Sequence, residues 1–245
     1  MRLDKFLSHS GLGTRKEVRQ LIRQKAVTVD GVVITDPGFA VDEDSVYAAV
    51  SGQSVRYRKH RYFMLNKPPG VVSATEDGAE PTVVQLLAKA DQRSVFPVGR
   101  LDKDTTGLLL LTDDGALAHR LLSPHRHVEK EYIARLHDPV DKEAVRLFAE
   151  GLVVDEGFTA LPACLVVDPA DARLARVTVT EGKYHQVKRM FTAVGNHVEA
   201  LQRVRMGALV LDGQLREGEY RELTDAEYRA LNGTERKTHA REETA

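Results

Sequence analysis

The sequence predicts an α+β protein in which a small αα-hairpin module precedes a larger domain with a mixed, mainly antiparallel sheet. Three observations on the 245-residue chain lead to this prediction. The first 35 residues show two short helical patterns and a hairpin signal, the segment 36–58 is acidic, and strand-like runs alternate with helical ones beyond it. We therefore expect a module with its linker over 1–58, a larger domain over 59–231 and a flexible tail over 232–245.

The N-terminal module opens with a short amphipathic helix. Leu3, Phe6 and Leu7 follow helical spacing, and Gly11 and Gly13 come after them as a stop signal. A second helix is therefore expected to start within a few residues of the first.

The second helix begins at a capping box, the pattern in which Thr14 and Glu17 satisfy each other's backbone N–H groups. Val18, Leu21 and Ile22 then form its apolar stripe. Four basic residues lie off this stripe and are expected to face solvent: Arg15, Lys16, Arg19 and Arg23.

A hairpin completes the module. The dipeptide Asp30-Gly31 suits a two-residue turn and is flanked by the strand-like runs 27–29 and 32–34. Through residue 35 the module holds seven basic residues against three acidic ones, a net charge of +4, whereas the whole chain carries −1. The near-neutral total therefore hides a basic N-terminal end.

The larger domain opens with a strand over 62–66, which Lys67 and two prolines terminate. Further strands are predicted at 153–154, 165–167 and 176–179, and helices at 82–88, 116–122, 142–148 and 184–194.

Composition excludes several classes of protein. Hydrophobic residues make up 42% of the chain and charged residues 29%, which is typical of globular domains. Apolar runs such as 108–111 fall far short of a membrane span, and the charged N-terminus lacks the apolar stretch of a secretory signal. Cys164 is the one cysteine, which excludes an internal disulfide and a multi-cysteine zinc site. We expect a cytoplasmic monomer without a metal.

The segment GRLDKDTTG over 99–107 is a polar loop that leads into a buried strand. A carboxylate at the mouth of a strand is well placed for catalysis, although carboxylates there more often cap turns. Asp102, Asp104 and Gly107 also match part of a calcium loop, but leucines follow them and Asp113 stands where a bidentate Glu is needed. The local sequence alone therefore does not decide whether the carboxylate caps a turn or takes part in catalysis.

Four segments in order resemble the motifs of the RsuA-type ribosomal small-subunit pseudouridine synthases: NKPPG at 66–70, GRLDKDTTG at 99–107, EKEY at 129–132 and EGKYHQVKRMF at 181–191. The first 35 residues resemble the S4 RNA-binding domain in their RLDKFL opening, basic helix and V-x-V-D-G hairpin. The resemblance implies an S4-like module followed by a pseudouridine synthase domain.

The resemblance implies roles for individual residues. Asp102 matches the catalytic aspartate, Lys188 a basic residue paired with it, and Tyr132 an active-site tyrosine that stacks on the uracil or handles its proton. Arg100 matches an arginine that fills the gap left by a flipped nucleotide. The remaining residues expected to bind RNA or to support the site are Arg2, Lys5, Arg15, Lys16, Arg19, Arg23, Lys67, His185, Gln186 and Arg189.

The resemblance also implies the reaction, in which a specific uridine of 16S ribosomal RNA, at the uridine-516 site, becomes pseudouridine. The partner is 16S RNA or a small-subunit assembly intermediate, and an isomerisation that neither oxidises nor adds atoms needs no cofactor. Large-subunit relatives tend to carry variants such as RNREVRRL in place of KYHQVKRMF, so a large-subunit enzyme is the nearer alternative. An inactive S4-type assembly factor and a glycosidase that releases free uracil are the others.

Overall fold

The structure is a computed structural model that describes residues 1–42, 46–55, 60–155 and 157–233. The chain forms two compact units, Met1–His60 and Arg61–Ala245. No helix in the described ranges is long and apolar enough to cross a bilayer. Of the predicted tail, residues 234–245 lie outside the described residues, and residues 232–233 belong to the last helix.

The N-terminal unit contains α1 (Leu3–His9), α2 (Arg15–Arg23), β1 (Val27–Val29), β2 (Val32–Val33), β3 (Ala48–Val50) and β4 (Gln53–Val55). Its strands form an antiparallel sheet in the order β2-β1-β3-β4. The capping box of Thr14 and Glu17 is present at the start of α2, and the hairpin turns at Asp30 and Gly31, both with positive φ. These local predictions are confirmed.

The segment 36–58 was expected to hold the end of the module and a linker, and its described part completes the N-terminal sheet. Ala48–Val50 pairs with Val27–Val29, and the side chains of Val41 and Ala48 are buried in the core of the unit. The acidic residues Glu43 and Asp44 lie outside the described residues.

The second unit is built on a large sheet. Its strands are β5 (Tyr62–Lys67), β6 (Phe96–Pro97), β7 (Thr106–Thr112), β8 (Lys130–Leu136), β9 (Val153–Asp155), β10 (Phe158–Thr159), β11 (Cys164–Val167), β12 (Leu174–Val179), β13 (Val198–Met206), β14 (Leu209–Val210) and β15 (Tyr220–Glu222). The order is β11-β12-β8-β13-β7-β5-β15, with β14 on β13 and β6 on β7, while β9 and β10 pair separately. Among the described pairs, β13 with β7 is parallel and the rest are antiparallel, so the mixed, mainly antiparallel sheet is confirmed.

Helices cover both faces of this sheet. They are α3 (Gly115–Leu122), α4 (Lys142–Glu150), α5 (Gln186–Ala193) and α6 (Asp225–Gly233). The helix predicted at 82–88 is a single 3-10 turn, Val83–Leu86, and α5 starts two residues later than predicted because the backbone of His185 is left-handed. The other predicted strands and helices differ from the structure mainly at their ends, but β8, β13 and β15 were not predicted.

The central strands are buried on both faces. In β5, Phe63 and Leu65 belong to one hydrophobic core and Tyr62 and Met64 to the other. The run Leu108–Leu111 of β7 alternates between the same two cores, which is why it is continuously apolar. A rigid strand therefore begins directly after the loop that carries Asp102.

Candidate active site

The loop that carries Asp102 is fastened from inside the protein. Asp102 O accepts a hydrogen bond from Thr105 N at 3.1 Å, which closes a turn. The ammonium of Lys67, at the end of β5, donates to Thr105 O at 2.9 Å, Lys103 O at 3.2 Å and Pro68 O at 3.0 Å. The two loop carbonyls on either side of Asp104 are therefore bound to one buried cation.

This geometry corrects the RNA-binding role predicted for Lys67. The residue is 0% exposed, and its three protons are taken by three carbonyls, so it supports the loop from behind. Burial lowers the pKa of Lys67 to about 8, against the opposing effect of the Asp104 and Asp102 carboxylates. A lysine beside two prolines is typical of an exposed turn, so the local sequence gives no sign of this position.

Gly107 allows the loop and the sheet to meet. Its φ is +97°, and a Cβ at this position would lie 2.3 Å from Arg203 O and 2.9 Å from Arg203 N. A glycine is therefore required where β7 pairs with β13, which brings Arg203 under the loop.

The carboxylate of Asp102 faces two basic side chains. His185 Nε2 lies 3.4 Å from Asp102 Oδ1, and Lys188 Nζ lies 3.7 Å from Asp102 Oδ2. Lys188 makes its shorter contact, 2.6 Å, with Asp104 Oδ1, and this hydrogen bond lowers the pKa of Asp104. The predicted pair of Lys188 and Asp102 is thus within ion-pair distance, but Lys188 bridges two carboxylates.

Helix α5 positions these two bases. Val187, Met190 and Phe191 are buried in the core, which fixes the helix and turns the half-buried Lys188 toward the loop. His185 precedes the helix with φ of 49° and ψ of 28°, a conformation that costs a residue other than glycine some free energy and often occurs at functional sites.

Gln186 is buried, with 5% of its surface exposed. Its Oε1 accepts from Lys183 N at 3.0 Å, and its Nε2 donates to Glu181 Oε1 at 2.9 Å. Of the two roles expected for Gln186, an RNA contact or support of the site, its hydrogen bonds fit the second, because they brace the turn before α5.

A pocket of about 120 Å³ opens beside Asp102. Tyr132 on β8 forms part of its wall, and its hydroxyl has no hydrogen-bond partner among the described residues. The pocket brings together residues from the loop, β8, the turn before α5, and β13: Arg100, Asp102, Thr105, Lys130, Tyr132, Glu181, Lys183, His185, Leu201 and Arg203.

The wall also contains two buried cations, Arg203 and Lys130. Arg203 is 2% exposed, donates from Nε to Leu108 O at 2.8 Å, and leaves its buried Nη2 without a partner among the described residues. Lys130 donates to Val128 O at 2.8 Å, and burial lowers its pKa, an effect that the nearby Arg203 increases.

Two arginines predicted to bind RNA near the pocket differ in whether other protein groups already bind their side chains. Arg100 is exposed on the rim and has no hydrogen bond or ion pair with any described residue. Arg189 donates to Asp155 Oδ2 at 2.9 Å from Nε and to Tyr184 O at 3.0 Å from Nη1. Arg100 is thus the more available of the two for RNA. No group of three or more His, Cys, Asp or Glu side chains in the described ranges is placed to hold a metal ion.

In the N-terminal unit, Asp4 organises two of the predicted RNA contacts. Arg2 Nε lies 3.3 Å from Asp4 Oδ1, and Arg19 Nη2 lies 2.7 Å from Asp4 Oδ2. Burial raises the pKa of Asp4, but the hydrogen bonds from Arg19 and Arg2 outweigh it and the net pKa is lowered. Lys5 is half-buried, and the other three cations are exposed: Arg15, Lys16 and Arg23.

Comparisons with known proteins agree with this architecture. The RNA pseudouridylate synthase family matches residues 61–193 and the S4 domain matches residues 1–46. The uncharacterized RNA pseudouridine synthase YtzG of Bacillus subtilis is 48% identical, over 95% of this chain and 98% of its own. Ribosomal small subunit pseudouridine synthase A of Escherichia coli K12 is 43% identical, over 93% of this chain and 98% of its own.

A crystal structure of a pseudouridylate synthase has the same fold, with a TM-score of 0.67 and 39% identity, and the match covers 94% of this chain and 99% of that one. Sequence, fold and the order of the motifs therefore agree over nearly the whole chain. The chain belongs to the RNA pseudouridine synthase family, among the members that begin with an S4 domain, and it is an RNA pseudouridine synthase.

Proposed function

We propose that this enzyme isomerises one uridine in the RNA of the small ribosomal subunit, at the uridine-516 site. It acts in the cytoplasm as a monomer, on 16S RNA or on a partly assembled subunit. The name and the 43% identity of the Escherichia coli relative support the choice of RNA. The observation that supports the chemistry is the Asp102 carboxylate, held beside a pocket and between two bases.

The reaction exchanges one bond of the base for another. The bond between N1 of uracil and C1′ of ribose breaks, the base turns, and C5 bonds to C1′. The proton on C5 leaves and N1 gains one, so the mass of the RNA is unchanged and no cofactor is required.

Asp102 is the residue that acts at the ribose. The Lys188 ammonium attracts its carboxylate, and the His185 ring lies 3.4 Å from it, so the two side chains fix its orientation toward the pocket. The hydrogen bonds from the Lys67 ammonium to two carbonyls of the same loop fix its backbone. Because reacting atoms tolerate only small displacements, a carboxylate held from both sides suits this step better than one on a mobile loop.

The pocket wall receives the uracil. Tyr132 packs against the ring, and its unpartnered hydroxyl is free to exchange a proton with the base. Lys130 and Arg203 donate to the uracil carbonyl oxygens, which become more negative when the bond to N1 breaks. Preorganised donors in a buried site stabilise such developing charge effectively.

The target base must leave its stack before it enters the pocket, at a cost of a few kcal/mol. Arg100, free on the rim, fills the gap that the base leaves. The cations of the N-terminal unit hold backbone phosphates, which requires no particular base sequence. These contacts offset the cost of flipping.

The test is to map pseudouridines by chemical labelling in ribosomal RNA from cells with and without the gene. We expect one pseudouridine to disappear from 16S RNA, at the uridine-516 site. Loss from the large-subunit RNA instead would support the large-subunit alternative. Unchanged pseudouridines with defective subunit assembly would indicate an inactive assembly factor, and free uracil as product would indicate a glycosidase.

A further inference from the structure

Tyr184 is a large aromatic residue that the fold does not require. It is 67% exposed, lies outside the hydrophobic cores, and its hydroxyl makes no hydrogen bond with a described residue. Its ring stacks on that of His185, with centroids 3.8 Å apart and planes at 18°. Because His185 covers one face, the exposed area of Tyr184 lies on the other face and at the ring edges.

The turn that presents this ring is rigid. Arg189 Nη1 donates to Tyr184 O at 3.0 Å, and Lys183 N donates to the buried Gln186 at 3.0 Å, so the backbone is held on both sides of Tyr184. His185 adopts its left-handed conformation at the same place. A fixed aromatic ring loses little conformational entropy when a second ring binds to it.

The stack extends outward from the reacting group. His185 Nε2 lies 3.4 Å from Asp102 Oδ1, and Tyr184 is the next ring along. The exposed cations Lys183 and Arg100 belong to the same pocket rim. A flat apolar face beside cations suits a base attached to a phosphate backbone better than it suits an apolar peptide.

We propose that Tyr184 is a stacking platform for the base of an unpaired nucleotide next to the target uridine. The inference rests on the proposed function, because it takes the occupant of the pocket to be a flipped uridine in RNA. With its neighbour stacked on Tyr184, the flipped nucleotide is held beside Asp102. Stacking accepts any base, so Tyr184 favours an unpaired neighbour rather than a particular sequence.

The experiment combines Tyr184 variants with RNAs that lack one base. The probe is a synthetic RNA with the uridine-516 sequence of 16S RNA. Four further versions each lack one base, at one of the two positions before the target or at one of the two positions after it. The full-length wild type is compared with Tyr184→Phe, Tyr184→Leu and Tyr184→Ala. Equilibrium binding and kcat/KM are measured for each combination, and the thermal midpoint is measured for each variant.

We expect Tyr184→Ala to weaken binding and kcat/KM on the intact RNA about tenfold to a hundredfold, the range that corresponds to loss of one base stack. Tyr184→Leu should lose nearly as much, Tyr184→Phe should match the wild type, and the thermal midpoints should agree. At one of the four positions, removal of the base should lower the affinity and kcat/KM of the wild type as much as Tyr184→Ala does. The two changes together should lower them no more than either change alone.

Equal losses for Tyr184→Ala on all five RNAs would overturn the proposal, since the ring would then act through His185. Wild-type affinity for Tyr184→Ala on the intact RNA would overturn it as well. If the wild type binds with the expected dependence on Tyr184 and the neighbouring base but forms no pseudouridine at this uridine, the stacking holds and the proposed target is wrong.

Discussion

At the scale of single residues, the ammonium of Lys188 separates two carboxylates with different roles. Its contact with Asp104 is 2.6 Å and that with Asp102 is 3.7 Å, so it attracts both while bonding to one. Lys188→Met should lower the single-turnover rate about a hundredfold, because it removes charge beside Asp102, and should change RNA affinity little. Arg100→Met is the matched control, with weaker binding expected. Normal turnover with weak binding in Lys188→Met would instead identify a phosphate contact.

Lys67 gives a pH-dependent prediction. Its folded-state pKa of about 8 lies below the ordinary 10.5, so the unfolded chain holds the proton more tightly than the folded one between these values. The unfolding free energy of the wild type should therefore rise, relative to that of Lys67→Met, as the pH increases from about 8 to about 10.5. Denaturant titrations of both proteins at several pH values measure this difference. A difference that stays constant across the range would show that Lys67 is not desolvated.

Sequence reasoning could predict much, though not all, at this scale. The order of the motifs predicts Asp102, Tyr132 and Lys188 as active-site residues. In the structure all three lie at one site. The sequence could not tell that Lys67 and Arg203 are buried, because burial of a charged side chain depends on acceptors that distant segments supply.

At the scale of elements, the parallel pairing of β7 with β13 depends on Gly107. A Cβ there would lie 2.3 Å from the backbone oxygen of Arg203, and the φ of +97° disfavours other residues. Gly107→Ala should therefore destabilise the protein by about 3 kcal/mol or more and abolish turnover. Gly115→Ala, where no atom lies within 4 Å of the added Cβ, is the control and should be tolerated. Similar melting temperatures for the two variants would refute this account of the pairing.

Local signals explain which elements were predictable. The capping box, the Asp30-Gly31 turn and the apolar run 108–111 all act through neighbours in sequence, and all appear in the structure. The pairing of β13 with β7 joins residues about 96 positions apart and leaves no local pattern. The strand over 48–50 was missed although it pairs with Gln53–Val55 beside it in sequence as well as with Val27–Val29.

At the scale of the whole molecule, the two units have separate hydrophobic cores. We predict that removal of residues 1–60 leaves a folded catalytic unit with much weaker RNA binding, because the cations of the first unit are lost. The slope of log affinity against log salt should also become shallower. Circular dichroism and filter binding at several salt concentrations measure both effects. RNA binding equal to that of the full chain would contradict the role given to the first unit.

The identity of the reacting carboxylate tests the account most directly. Cells that lack the gene would be supplied with the wild type, Asp102→Asn or Asp104→Asn, and pseudouridine at the uridine-516 site of 16S RNA would be measured. Asp102 borders the pocket, whereas Asp104 is mostly exposed and bonded to Lys188. We predict no pseudouridine with Asp102→Asn, although the variant folds and binds RNA, and substantial pseudouridine with Asp104→Asn. Pseudouridine with Asp102→Asn and none with Asp104→Asn would contradict the mechanism.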